Sequence, residues 1–145
     1  MNEAGDERDG YAWLDHTADI GVVVQGRTRA SLFEVAAGAL TDVITDRETI
    51  RERNRVSIRI EAPDLEQLLV RWLTEILARF EIEGLIFRRF AVDSLRDGRL
   101  LAQAFGETYD PARHPFRTEV KAITYHQLAI RETPAGWKTT IIFDL

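Results

Sequence analysis

The sequence predicts an α+β fold: two amphipathic helices packed on a mixed, largely antiparallel β-sheet. Three observations carry this. Two stretches, Arg29 to Thr45 and Leu65 to Ile82, place apolar residues at helical spacing. Other segments alternate apolar and polar residues one by one, the period of a half-buried strand. Finally, the order β, β, α, β, α is followed by four strands in a row, unlike the regular alternation of a parallel α/β protein.

In chain order, Tyr11 to Asp15 is a short first strand, with Trp13 expected to anchor the end of the core. Ile20 to Gln25 is a second strand, with Ile20, Val22 and Val24 on one face. Val23 is apolar on the other face, which suits a central strand. Gly26 breaks it. The first helix starts at Thr28 as N-cap, with Ser31-x-x-Glu34 as a competing capping box. Its stripe is Leu32, Phe33, Ala36, Ala37, Leu40, Val43 and Ile44, and its alanines suit close approach to a sheet. Asp46 to Asn54 is a polar loop. Arg55 to Ala62 alternates Val56, Ile58, Ile60 and Ala62 inward against Ser57, Arg59 and Glu61 outward.

Pro63 ends that strand, and Asp64-x-x-Gln67 is a capping box for the second helix. That helix carries Leu65, Leu68, Leu69, Trp72, Leu73, Ile76, Leu77 and Phe80 on one face, and Arg71, Glu75 and Arg79 on the other. Gly84 closes it. Leu85 to Leu95 and Arg99 to Gly106 form a hairpin through Asp97-Gly98, a strong short-range turn signal. Glu107 to Arg117 is a loop. Thr118 to Glu132 is expected to be one long strand, turning at Pro134-Ala135-Gly136 and returning as Trp137 to Asp144.

The bulk numbers bound the function. The chain has 145 residues, enough for a single domain over residues 11–145 that buries roughly 70% of its unfolded surface. Residues 1–10 are acidic and polar, unlike a signal peptide, and are expected to be disordered. The absence of cysteine excludes disulfides, zinc–thiolate sites and a thiol nucleophile, and suits a reducing compartment. No apolar run reaches the roughly 20 residues of a membrane helix. A soluble, cytoplasmic protein is expected. A net charge of −5 argues against tight autonomous binding of nucleic acid, unless charge is locally segregated. Seventeen of the nineteen Lys and Arg residues are Arg, the exceptions being Lys121 and Lys138; codon usage explains this better than function does.

Two places carry candidate chemistry. His16-Thr17-Ala18-Asp19-Ile20-Gly21 gathers a ring nitrogen, a hydroxyl, a carboxylate and a glycine at the mouth of a strand. The sequence also closes on Ile141-Ile142-Phe143-Asp144-Leu145 straight out of a strand, too apolar for a frayed tail. Docking that end brings Asp144 and the Leu145 carboxylate into the fold. Two carboxylates about 4 Å apart repel by roughly 4 kcal/mol at an effective dielectric near 20, which a cation or proton relieves. Oxygen ligands without cysteine point to Ca²⁺, Mg²⁺ or Mn²⁺. The bland alternative is a turn-capping Asp19 and a surface Asp144. Further clusters are Glu107 with Asp110 and His114, and Lys121 to His126. His16 and His126 suit metal ligation or proton transfer, though a lone His near a strand end is more often just hydrogen-bonded. There is no nucleophile elbow, phosphate loop, HExxH or GxGxxG.

The HTADIG run at 16–21, Ser31-Leu32-Phe33-Glu34, Asp64-Leu65-Glu66, Trp72-Leu73, Gly106-Glu107, the KAITYH run at 121–126 and Phe143-Asp144-Leu145 together resemble the archease family, in order from Tyr11 to Leu145. The resemblance implies an accessory protein rather than an enzyme. Its partner would be the GTP-dependent RNA ligase of tRNA splicing and RNA repair, whose histidine guanylylation and repeated turnover it would promote. It implies a divalent site, with calcium as the expected ion, on Asp19, Asp144 and Leu145, and it brings Glu107 and Lys121 near that site. Leu145 stands where Ile or Val is usual, which a main-chain or terminal oxygen ligand tolerates. Two rival readings remain: a metal-dependent phosphoester hydrolase using His16, Asp19 and Glu107, and a general chaperone or nucleic-acid modulator.

Overall fold

The computed structural model describes residues 9–15, 19–125 and 127–145. Eight strands and two helices follow in order: β1 (Gly10–Asp15), β2 (Asp19–Gly26), α1 (Arg29–Ile44), β3 (Asn54–Glu61), α2 (Leu65–Glu83), β4 (Leu85–Arg96), β5 (Arg99–Thr108), β6 (Ala122–Ile123), β7 (Arg131–Thr133) and β8 (Gly136–Asp144). The fold is α+β, but with two sheets where a single one was expected. One has the order β1-β2-β8-β6, with β7 also on β8; the other is β3-β5-β4. Every strand pair is antiparallel.

The second sheet changes the role of α1. Thr28 caps it, accepting from the Ser31 N–H, while Ser31 Oγ accepts from the Thr28 N–H. The helix packs on β2 and β8 of one sheet and on β4 of the other. A helix between two sheets is covered on most sides, so Ala39, Gly38 and Thr41 are buried beside the predicted stripe. Ala36, Ala37 and Ala39 are fully buried, and their small side chains permit the close approach. By contrast, α2 keeps one wet face, where Glu75 and Arg79 pair one turn apart at 2.9 Å. The Trp72 indole N–H donates to the Phe33 carbonyl at 3.0 Å and fixes α2 to α1.

The β4–β5 turn has φ of 55° at Asp97 and 72° at Gly98, the doubly positive geometry of a type I′ hairpin. The long strand expected over Thr118 to Glu132 breaks into β6 and β7. Between them the backbone is satisfied otherwise: Ile130 N–H donates to Glu66 Oε2, and the Ala129 carbonyl accepts from Thr139 Oγ1. Gln127, at φ 59°, turns the chain away from the strand direction.

Candidate functional site

Strand register builds the site. β2 pairs with β8 so that Asp19 stands directly opposite Asp144, and β6 pairs with β8 so that Ala122 stands on the other side of Asp144. Residues directly opposite in an antiparallel pair have Cα atoms about 4.5–5.5 Å apart and side chains on the same face. Ile20, Val22 and Val24 point inward with Phe143 and Ile141, so Asp19 and Asp144 point outward. Asp19 is half-buried, with Oδ1 withdrawn from solvent, and Asp144 is exposed. Leu145 follows, half-buried against the core. The Lys121 N–H donates to the Asp144 carbonyl at 2.8 Å, which ties the main chain of this exposed lysine to β8.

Like charges opposed in a sheet are destabilising. Here an acidic pair is held side by side by the register of long strands, which a single substitution would not shift. The donors available are oxygens only, which suits a hard divalent ion. Among the described residues no group of three or more His, Asp or Glu side chains stands ready for a metal. Two carboxylates alone do not fill the shell of a hard divalent ion.

Trp13 does not anchor the core. It is 44% exposed, as Leu14 is at 40%, on an edge strand with a neighbour on one side only. Trp13, Leu14 and Ile20 line a hollow of about 420 Å³ with Val43, Arg117 and Thr118. Ile20 points to the opposite face of β2 from Asp19, so this hollow, which Asp42 also lines, lies on the helix side of the sheet. Tyr11, stacked edge-on against Trp13 at 4.9 Å, donates its hydroxyl to Asp42 Oδ2 at 2.6 Å.

Glu107 sits elsewhere, on β5, in a closed network rather than a solvated loop. Its Oε2 accepts from the Arg51 N–H at 2.8 Å and from His114 Nε2 at 2.9 Å; its Oε1 accepts from Arg113 at 2.6 Å and faces Arg53 at 3.4 Å. His114 Nδ1 accepts from the Asp110 N–H, so the ring hydrogen belongs on Nε2. Glu107 and His114 are both buried. Burial pushes the Glu107 carboxyl upward, but the Arg51 N–H, Arg113 and His114 together outweigh it and hold the group down at about 2. The sequence grouped Glu107 with His114, but not with its three arginine partners; the arginines at 51 and 53 read only as loop charge. The network ties the 51–53 segment to the 110–114 loop, and the chain runs from there past the Thr45–Phe116 bridge to Lys121. Glu107 thus braces the segment that delivers Lys121. His16 and His126 lie outside the described residues.

Comparison with known proteins agrees with this architecture. Residues 11–145 match the Archease protein family (MTH1598/TM1083). The protein archease of Methanosarcina barkeri is 45% identical over 139 residues, covering 93% of this chain and 95% of the relative. That of Aeropyrum pernix is 39% identical over 140 residues, covering 94% and 97%. The solution structure of Methanobacterium thermoautotrophicum protein 1598 superposes with a TM-score of 0.79 at 30% identity, covering 94% of this chain and 99% of that one. The crystal structure of an archease from Thermotoga maritima, 20% identical, shares the fold with a TM-score of 0.63, covering 91% and 94%. With two helices on antiparallel sheets, a family match over nearly its whole length and relatives this similar, the chain belongs to the archease family.

Proposed function

We propose that this protein is an accessory factor, not itself an enzyme, that activates the GTP-dependent RNA ligase of tRNA splicing and RNA repair through a divalent-metal site on Asp19, Asp144 and Leu145. The observation that carries the reading is the register pairing of Asp19 with Asp144, an acidic pair the sheet would be more stable without. Membership of the archease family supports the choice of partner.

Asp19 and Asp144 would hold the ion, with oxygens of Leu145 beside them. Calcium is the expected ion, with magnesium and manganese as alternatives of the same ligand chemistry. When bound, it would supply positive charge for phosphate oxygens at the ligase nucleotide site. Lys121 would add a compact, movable cation at the border of the pair. Trp13 and Leu14, on the edge strand paired with β2, offer the exposed apolar contacts that interface anchors use. Glu107 keeps the loop rigid and takes no part in the chemistry: its oxygens are occupied by Arg51, Arg113 and His114. This tells against the hydrolase reading, which needs Glu107 as a base near a metal-bound water.

The test is multiple-turnover RNA ligation by the cognate ligase. Wild-type protein should raise turnover and the guanylylated fraction of the ligase. Asp19→Ala and Asp144→Ala should each reduce that stimulation by tenfold or more while still folding. Undiminished stimulation by both variants would remove the metal site from the mechanism.

A further inference from the structure

The open face of the three-stranded sheet has no part in the site above. On its inner face Ile58, Leu100, Ala102 and Ala104 pack into the core. Its outer face is exposed at Arg55, Arg59, Arg99 and Leu101. Arg96 stands directly opposite Arg99 across the hairpin, and Arg59 stands opposite Leu101, one diagonal from Arg99. Diagonal neighbours lie about 7–8 Å apart, so three guanidiniums share one corner of the sheet. Among the described residues none of the three forms an ion pair, whereas Arg89 on the same face pairs with Glu52 at 3.1 Å. Opposed like charges weaken a sheet, and Glu61, directly opposite Arg99 on β3, offsets only part of the repulsion.

The three arginines line a hollow of about 360 Å³ together with Ser94, Leu101, Glu61 and Asp97. Three cations outnumber two carboxylates there, in a chain whose net charge is −5. Further along β5, the Arg89 guanidinium lies 3.9 Å over the Phe105 ring, with Gln103 between Phe105 and Leu101. From Arg99 to Phe105 is about 20 Å at the usual rise of a strand. The Gln103 amide is held by Ser57 and Asp93, which leaves arginine and stacked aromatic surface, the kind by which open sheets hold unstacked bases and their phosphates.

We propose that this face binds a short stretch of single-stranded RNA, with Arg59, Arg96 and Arg99 on the phosphates and the Arg89–Phe105 stack beside the bases. Charge complementarity selects a polyanion, and the planar stack selects nucleic acid over an acidic protein. Only about three phosphates are engaged, so binding is weak and depends on salt, with a slope of about −2 in log K against log salt. The surface would hold RNA that another protein grips more tightly. It is separate from the acidic pair, and either can fail without the other.

Fluorescence anisotropy of a labelled oligouridine with the full chain tests this at low and moderate salt. Wild type should bind with the stated slope. The triple variant Arg59→Ala, Arg96→Ala, Arg99→Ala should bind at least tenfold more weakly with a slope near zero. Arg131→Ala, on the other sheet, should match wild type. Removing opposed cations should leave the melting temperature unchanged or higher. The proposal is overturned if wild type does not bind, if the triple variant binds as wild type does, if the triple variant melts well below wild type, or if a polyglutamate peptide binds the same face more tightly than the RNA.

Discussion

Glu107 shows how a single residue is held by its surroundings. A buried carboxylate is unfavourable until donors compensate it, and here a main-chain N–H, an arginine and a histidine do so. Its folded-state pKa of about 2 lies below the ordinary 4.5. The stabilisation is therefore complete above pH 4.5 and is lost as pH falls toward 2. Glu107→Gln should lower stability at pH 7 by about 1–3 kcal/mol. Its denaturation midpoint should then vary less than the wild type's between pH 4.5 and 2, as followed by urea melts. Tyr11 gives the opposite sign. Burial, then its bond to Asp42, raises the phenol to about 12, so its contribution is present below pH 10 and lost as pH rises through 12.

At the scale of elements, helix ends and turns follow local rules. Thr28 accepts from Ser31 N–H with its hydroxyl and stands in the extended conformation of an N-cap. Thr28→Ala should cost about 1 kcal/mol in chemical denaturation, with Thr28→Ser close to neutral. Gly106, one residue before Glu107, has no room for a Cβ: it would meet the Ile86 carbonyl and the Phe87 backbone. The β4–β5 ladder has two irregularities, near Arg88 and Asp93, which allow Arg88 to reach the Glu48 carbonyl at 2.8 Å while Ser94 and Arg96 keep to the outer face.

For the molecule as a whole, two sheets around one buried helix set two distinct surfaces. One holds the acidic pair; the other is an open face that carries Arg59, Arg96 and Arg99. No helix of the described residues is long and apolar enough to cross a membrane. Metal binding at the acidic pair would act on global stability by mass action. Calcium at about 100 times its dissociation constant should add about 2.7 kcal/mol. For a chain of this size that is a rise in melting temperature of several degrees, at about 2–4 °C per kcal/mol. The rise should be absent in Asp19→Ala and Asp144→Ala and reversed by chelator in the wild type. An equal rise in those variants would place the ion elsewhere.

The sequence by itself determined the helices, their caps, the Asp97-Gly98 hairpin and the inward faces of β2 and β3, because each follows from local spacing and turn chemistry. The acidic residues at 19 and 144 also stood out in the sequence. Their meeting did not, since it depends on a pairing between residues 125 positions apart that only β2–β8 register decides. Periodicity cannot tell one sheet from two, so the enclosure of α1, the exposure of Trp13 on an edge strand and the division of Thr118 to Glu132 were decided by tertiary structure. Burial is a collective property: Glu107 and its arginines read as loop charge until folding removed the water between them.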